Sequence, residues 1–346
     1  MDLGTLAARL VESADDVRYS HPRRALDRAA SARAFIASLE VDELVPGGHD
    51  LWLALQSDAW AVYGSAARSA GDLEGAESAL LVSLAFLDAS PSSRPPGATV
   101  EGLVRRARLA QRAGYVRMDQ GRFREALDLL AQARELYRDA EDPTRAACVL
   151  VDEALVFKRE GRPREAMSRL VSALDGLDRN AEPRSYLAAV HNLARLLLEV
   201  AESAPEEEEA LRWLELARKE HRRYPERLHL LRLRALAALT AARFGRVDEA
   251  ISELEALADA FGEIGAAGDQ VLALLYVADL SLQKPGASAR QVLAATGLIF
   301  PLLRRLPVDD EAKAALRRLL TQAERQGTEP EALKRAVELM ERNLGA

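Results

Sequence analysis

An all-α solenoid of about seven or eight antiparallel helix hairpins is the fold this sequence of 346 residues predicts. Three observations predict it. First, one phrase recurs: a glycine, four residues, then an alanine, as Gly71–Ala76, Gly121–Ala126, Gly161–Ala166 and Gly245–Ala250. Repetition at a fixed period outranks other fold signals, because each unit needs its neighbours to bury an apolar face. Second, apolar residues recur at three- and four-residue steps. Ala126, Leu127, Leu129, Leu130 and Ala133 trace one face against Asp128, Gln132 and Arg134, and that is the helical period. Third, hydrophobic residues make up 49% of the chain and aromatics only 5%. The apolar mass is mainly Ala and Leu, which suits closely approaching helices better than sheets.

Phasing the chain on the alanine sets the elements in order. Positions 25, 76, 126, 166, 210 and 250 carry it, with a degenerate copy near 290. The later steps hold two helices of about seventeen residues and tight connections. Residues 1–45 form an N-terminal helix pair, broken at Ser20-His21-Pro22. Residues 50–262 carry the best repeats, in which each glycine ends a first helix in the left-handed conformation. Two insertions lengthen the early steps, Glu40–Asp50 with Pro46-Gly47-Gly48, and Ser90–Thr99. The second is expected to be the more mobile, with Thr99 capping the helix after it. Asp142-Pro143 and Glu182-Pro183 separate successive units, and Ser203-Ala204-Pro205-Glu206 replaces the glycine in another. Residues 264–346 hold a degenerate repeat, a kink at Pro301, and closing helices near 309–326 and 329–343. Their polar faces (Arg317, Arg318, Arg325, Glu331, Lys334) suit a terminal cap.

Charge and composition exclude several classes of function. A net charge of −7 argues against wholesale nucleic-acid binding, although a local basic stripe stays open. The single Cys148 excludes an intramolecular disulfide and a multi-Cys metal site, and it reads as a buried small hydrophobe. The five histidines (21, 49, 191, 221, 229) show no paired ligand spacing, so no metal is expected. No Gly-rich cluster is followed by the Lys-Ser/Thr of a phosphate loop. Neither a secretory signal nor a membrane-length apolar run is present, so the expected location is cytoplasmic. Trp52 and Trp60, eight apart, are expected on one core-facing side. The stretch Arg218-Lys219-Glu220-His221-Arg222-Arg223-Tyr224 follows Glu206-Glu207-Glu208-Glu209 on one helix. Acids at the start and bases at the end are what the helix dipole rewards.

The phrase resembles the tetratricopeptide repeat (TPR), whose pattern places small residues and a glycine at fixed offsets over a helix–turn–helix. The Gly121 unit reads Gly114, Gly121, Ala126, Leu130 and Ala133; the Gly71 unit reads Trp60, Gly64, Gly71, Ala76 and Leu80. The spacing exceeds the usual thirty-four, as in the long-repeat branch of bacterial regulators and kinesin light chains. The first-helix aromatic survives only as Phe157, being Ala67 and Arg117 elsewhere. The resemblance implies a right-handed superhelix whose first helices line a concave groove. It places Arg108, Gln111, Tyr115 and Met118 there, then Lys158 and Arg159, Asn192, Arg195 and Glu199, and Arg232 and Arg243. The Lys/Asn clamp by which some members hold a chaperone's C-terminus is absent, its offsets being Tyr115, Leu155 and Glu199.

With no acid/base, nucleophile or metal constellation, the expected function is a non-catalytic adaptor or scaffold without cofactor. Its groove would bind a peptide segment or domain of a cytosolic partner, and basic positions favour a carboxylate-bearing one. The alternative is a regulatory sensor that binds a small ligand or signalling peptide and changes conformation. Self-association through end units stays open.

Overall fold

The computed structural model describes residues 3–16, 22–40, 48–95, 97–201, 203–223 and 225–283, together with 316, 317, 321 and 334. Among them all regular structure is helical, with thirteen α-helices and a short 3-10 helix at Pro91–Ser93. They are α1 (Leu3–Asp16), α2 (Pro22–Ser38), α3 (Gly48–Ser69), α4 (Leu73–Ala89), α5 (Val100–Asp119), α6 (Phe123–Asp139) and α7 (Pro143–Arg159). Then follow α8 (Pro163–Gly176), α9 (Pro183–Val200), α10 (Ala204–Arg223), α11 (Arg227–Arg243), α12 (Val247–Glu263) and α13 (Ala267–Leu282). The Ser20-His21 break, Pro46-Gly47, the copy near 290 and Pro301 lie outside the described residues, as do the closing helices apart from isolated positions such as Arg317 and Lys334.

The chain divides into two compact units, 1–196 and 197–346. In the first, α1 pairs with α2, α3 with α4, α5 with α6 and α7 with α8. Each pair meets the next through α2 on α3, α4 on α5 and α6 on α7. In the second, α10, α11, α12 and α13 pack in sequence order.

The repeated phrase is both a turn and a packing contact. Gly71, Gly121, Gly161 and Gly245 have φ of 91°, 74°, 77° and 82°. The residue after each closes the helix end: Asp72 donates its N–H to Ala67 O, Arg122 to Arg117 O, Arg162 to Phe157 O and Arg246 to Ala241 O. That is the Schellman closure, which satisfies carbonyls the helix leaves over. Two more such turns are less legible in sequence. Glu141 (φ 55°) and Gly265 (φ 73°) make them, with Asp142 donating to Tyr137 O and Ala266 to Phe261 O.

The phased alanines 25, 76, 126, 166, 210 and 250 are all 0% exposed. For Ala76 and Ala126 the partner is a glycine of the preceding helix. A Cβ on Gly64 would lie 3.1 Å from Ala76 O, and one on Gly114 would lie 3.1 Å from Leu130 Cγ and 3.3 Å from Ala126 O. The backbones approach as far as glycine and alanine allow, and Leu80, Leu130, Leu170 and Leu254 then fill the space between paired helices.

Two expectations are corrected. The Ser90–Thr99 insertion is fastened at its two ends rather than free of the fold. Ser90 and Ser93 are fully buried, Ser90 Oγ donates to Asp50 Oδ1 (2.6 Å), and Thr99 N–H donates to Ser92 O (2.7 Å). Arg106 donates to Ser93 O and Leu87 O and pairs with Asp88 at 2.6 Å. Burial opposes ionisation of Asp50, but the bonds from Ser90 and Ser92 outweigh it and lower its pKa. Thr99 does cap α5, accepting from Gly102 N–H at 3.1 Å. The second correction concerns Trp60, which is half-buried rather than core. The Arg33 guanidinium lies 3.9 Å from its ring centre and 4.6 Å from that of Tyr63, a cation–π link between α2 and α3.

Polar links also join successive hairpins. Glu77 of α4 lies 2.6 Å from Arg117 Nη2 of α5 and accepts from Gln120 at 2.9 Å. The hydrogen bonds from Arg117 and Gln120 outweigh burial and lower the Glu77 pKa from 4.5 to about 2. The folded state therefore favours the carboxylate. Its stabilisation is complete above the unfolded pKa and is lost as pH falls through the folded one. Glu77→Gln is expected to lower the urea midpoint at pH 7, with the deficit against the parent shrinking as pH falls from 4.5 to about 2.

Candidate functional site

On α5, Arg108, Gln111, Arg112 and Tyr115 follow the i, i+3, i+4, i+7 spacing that puts side chains on one helix face. That face opens on a cavity of about 280 Å³ within the first unit. The neighbouring first helices supply its other walls: Ser65 and Arg68 from α3, Arg145 and Cys148 from α7, and Glu182 and Ser185 at the start of α9. One second-helix residue, Tyr137 of α6, reaches it too.

Gln111 is the hub. Its Nε2 donates to Asp152 Oδ2 (2.5 Å) and to Tyr115 Oη (3.3 Å), and its Oε1 accepts from Tyr137 Oη (3.3 Å). Burial pushes the Asp152 carboxyl up to about 6, against the lowering effect of the Gln111 and Tyr115 hydrogen bonds. Burial likewise raises the Tyr137 phenol to about 12 and the Cys148 thiol to about 11, the latter against a Ser185 hydrogen bond. Cys148 is half-buried at the cavity wall, not a core residue, and at neutral pH it is a thiol. What the cavity offers a ligand is mainly guanidinium, amide and hydroxyl groups, with one carboxylate, Glu182, and the Cys148 thiol.

The guanidiniums are held from behind by carboxylates. Arg68 meets Asp119 at 2.6 Å, Arg112 meets Asp15 at 3.5 Å, and Arg145 meets Asp142 at 3.0 Å. Arg108 is exposed. A second cavity of about 290 Å³ between α4, α5 and α6 is mainly apolar, walled by Leu80, Leu84, Leu109, Val116, Leu129 and Leu136. Among the described residues no group of three or more His, Cys, Asp or Glu is placed to hold a metal ion, and no helix is long and apolar enough to cross a membrane.

Of the eleven groove positions expected from sequence, Arg108, Gln111 and Tyr115 come together at this cavity. Met118 does not face a groove. It is 3% exposed and packs with Ala126 and Leu130, because its position on α5 turns toward α6. Arg159 shares Asp119 with Arg68, at 2.5 Å, and so belongs to the framework behind the cavity. Lys158, Asn192 and Arg195 are half-buried and Glu199 is exposed; none of them lines it. In the second unit, Arg232 forms a two-pronged pair with Asp269 (2.7 and 2.9 Å). Arg243 donates to the carbonyls of Leu198 and Ala201 and to Glu207, clamping the last turn of α9.

Arg68, Arg112, Tyr137, Arg145 and Ser185 were not singled out from sequence. Arg112 could have been found by following the α5 face one step from Arg108; the others come from different helices. The basic stretch of α10 is a helix terminus. Its first turn holds Glu206 and Glu207 and its last His221, Arg222 and Arg223. Burial, reinforced by His229, lowers the His221 pKa to about 4, so it adds no charge at neutral pH.

Comparison with known proteins matches residues 105–179 to the tetratricopeptide repeat family. No curated protein sequence matches the chain. Three solved structures share the fold over nearly all of it. A Rap protein complexed with Competence and Sporulation Factor has TM-score 0.54 and 15% identity, covering 99% of each chain. A Rap conjugation gene regulator of the plasmid pLS20, in complex with the Phr* peptide, has TM-score 0.55 and 13% identity, covering 98% of this chain and 96% of the other. A signal transduction ATPase with numerous domains and a tetratricopeptide repeat sensor, from Pyrococcus horikoshii, has TM-score 0.52 and 13% identity, covering 97% of this chain and 50% of the other. Helix pairing, left-handed glycine turns and these likenesses agree on the fold, which is all-α and tetratricopeptide-repeat-like.

Proposed function

We propose that this chain is a non-catalytic scaffold of the long-repeat bacterial type. It binds a peptide, or an exposed segment of a protein partner, on the first-helix face of its first unit. The observation that carries the reading is the cavity at Arg108, Gln111 and Tyr115, where four guanidiniums and one acid line the same space. Charge-assisted hydrogen bonds from arginine favour an acidic segment there. The apolar cavity between α4, α5 and α6 adds a place for an aliphatic anchor. The fold supports the reading, since the two Rap structures hold Competence and Sporulation Factor in one case and the Phr* peptide in the other. A net charge of −7 disfavours nucleic acid as partner, and the cytoplasm is the compartment this reading assigns.

The test is a displayed peptide library screened against the full chain, followed by hydrogen exchange on the complexes. Enriched peptides are expected to protect amides of α3, α5 and α7. No enrichment, or protection confined to other helices, would overturn the proposal. The likeness to peptide-bound regulators also favours a second reading, a sensor whose conformation responds to the peptide. A change in radius of gyration by solution scattering on adding an enriched peptide separates it from a passive scaffold.

A further inference from the structure

The cavity has a charge that an ordinary peptide backbone leaves unused. Arg68, Arg108, Arg112 and Arg145 line it, against Glu182 as the one acid in the lining and Asp152 bonded to Gln111 and Tyr115 outside it. The carboxylates that hold three of these guanidiniums (Asp119, Asp15 and Asp142) are outside the lining, and Asp119 is shared with Arg159. Arg108 is exposed and forms no ion pair among the described residues. Each guanidinium has five N–H donors, more than a single carboxylate takes up.

A single arginine fork satisfies a carboxylate. Four around one space exceed that need. They match a group with three acceptor oxygens and a charge of about −2, which is a phosphoryl group. The hydroxyls of Ser65, Ser185 and Tyr115 add polar partners at the same walls. The volume, about 280 Å³, is near the small end of ligand pockets and equals about nine water volumes. That is room for a phosphoryl group and a side-chain stem.

We propose that this cavity is a phosphoryl subsite, which reads a phosphorylated side chain on the segment bound by the first-helix face. It rests on the peptide-binding reading above, and deepens it by naming the chemistry recognised.

The experiment measures binding of the full chain to three degenerate peptide libraries that differ only at a fixed central residue: phosphoserine, glutamate or serine. The phosphoserine library is expected to bind about 10-fold more tightly than either other one. Arg108→Ala should remove most of that preference without moving the melting temperature, because Arg108 is exposed and holds no internal partner. Glu182→Gln should strengthen phosphoserine binding, because it removes the one negative charge in the lining. Equal binding of all three libraries would overturn the subsite while leaving the scaffold in place. Glutamate binding as tight as phosphoserine would make it a carboxylate site and also overturn it. Free phosphoserine binding as tightly as the peptide would assign the cavity to a small phosphate monoester and overturn the peptide-borne source. Failure of every library on the first-helix face would instead bring down the scaffold reading.

Discussion

Removing both guanidiniums around Glu153, in the variant Arg134→Met/Arg169→Met, is expected to cost the fold about 3–5 kcal/mol at pH 7. Glu153 lies on α7 and is 3% exposed. Arg134 of α6 approaches its Oε1 at 3.5 Å and Arg169 of α8 its Oε2 at 3.0 Å, so three helices meet at one carboxylate. Burial already raises the Glu153 pKa, with Arg134 and Arg169 opposing the rise. The folded state therefore disfavours the charged form even with its partners in place. A penalty of that sign is present above the folded pKa and is relieved as pH falls toward the unfolded value of 4.5. The double variant should thus recover much of its lost stability between pH 7 and pH 5. Adding Glu153→Leu removes the stranded charge, and the triple variant should match or exceed the parent, by up to about 4 kcal/mol. Urea midpoints at the two pH values check each step. A double variant as stable as the parent at pH 7 would show that water reaches Glu153.

Leu130→Ala is expected to cost about 2–5 kcal/mol, through lost burial and the cavity it leaves. Leu130 is fully buried between α5 and α6, directly against Gly114. In the parent, Gly114→Ala would press its new methyl to 3.1 Å from Leu130 Cγ, tighter than ordinary contact. In the Leu130→Ala background that neighbour is gone, and only the 3.3 Å approach to Ala126 O remains. The same change should then add up to about 1 kcal/mol through better helix propensity, less what the hairpin gives up to ease that backbone contact. The two substitutions are therefore expected to be non-additive, with the double variant more stable than the sum of singles. Additive thermal unfolding data would mean that the hairpin relaxes around the extra methyl, and that glycine at 114 is not required by the close approach.

Much of the fold was legible because its determinants are local and steric. A left-handed turn selects glycine at 71, 121, 161 and 245, and a close backbone approach selects alanine at 76, 126, 166 and 250. Glu141 shows the limit. It makes the same turn with a residue that gives no signal, and only the following Asp142-Pro143 marked the break. The candidate site was less legible, and for a different reason. Offsets within one helix identified Arg108, Gln111 and Tyr115, because helical spacing is periodic. They could not separate these from Met118, which lies on the same helix and points into the core. Nor could they separate arginines that face a ligand from Arg159, Arg232 and Arg243, which hold carboxylates or a helix end.

By itself, then, the sequence determined the repeat, its phase and its helix ends, since each depends on residues a few positions apart. Tertiary structure alone decided which charges are spent on the framework and which line the cavity. Asp119 reaches back to Arg68 and forward to Arg159, and Glu182 and Ser185 line the same cavity as the α5 residues. Those juxtapositions are set by how successive hairpins stack, and stacking depends on apolar packing that carries no record of where the polar side chains will meet.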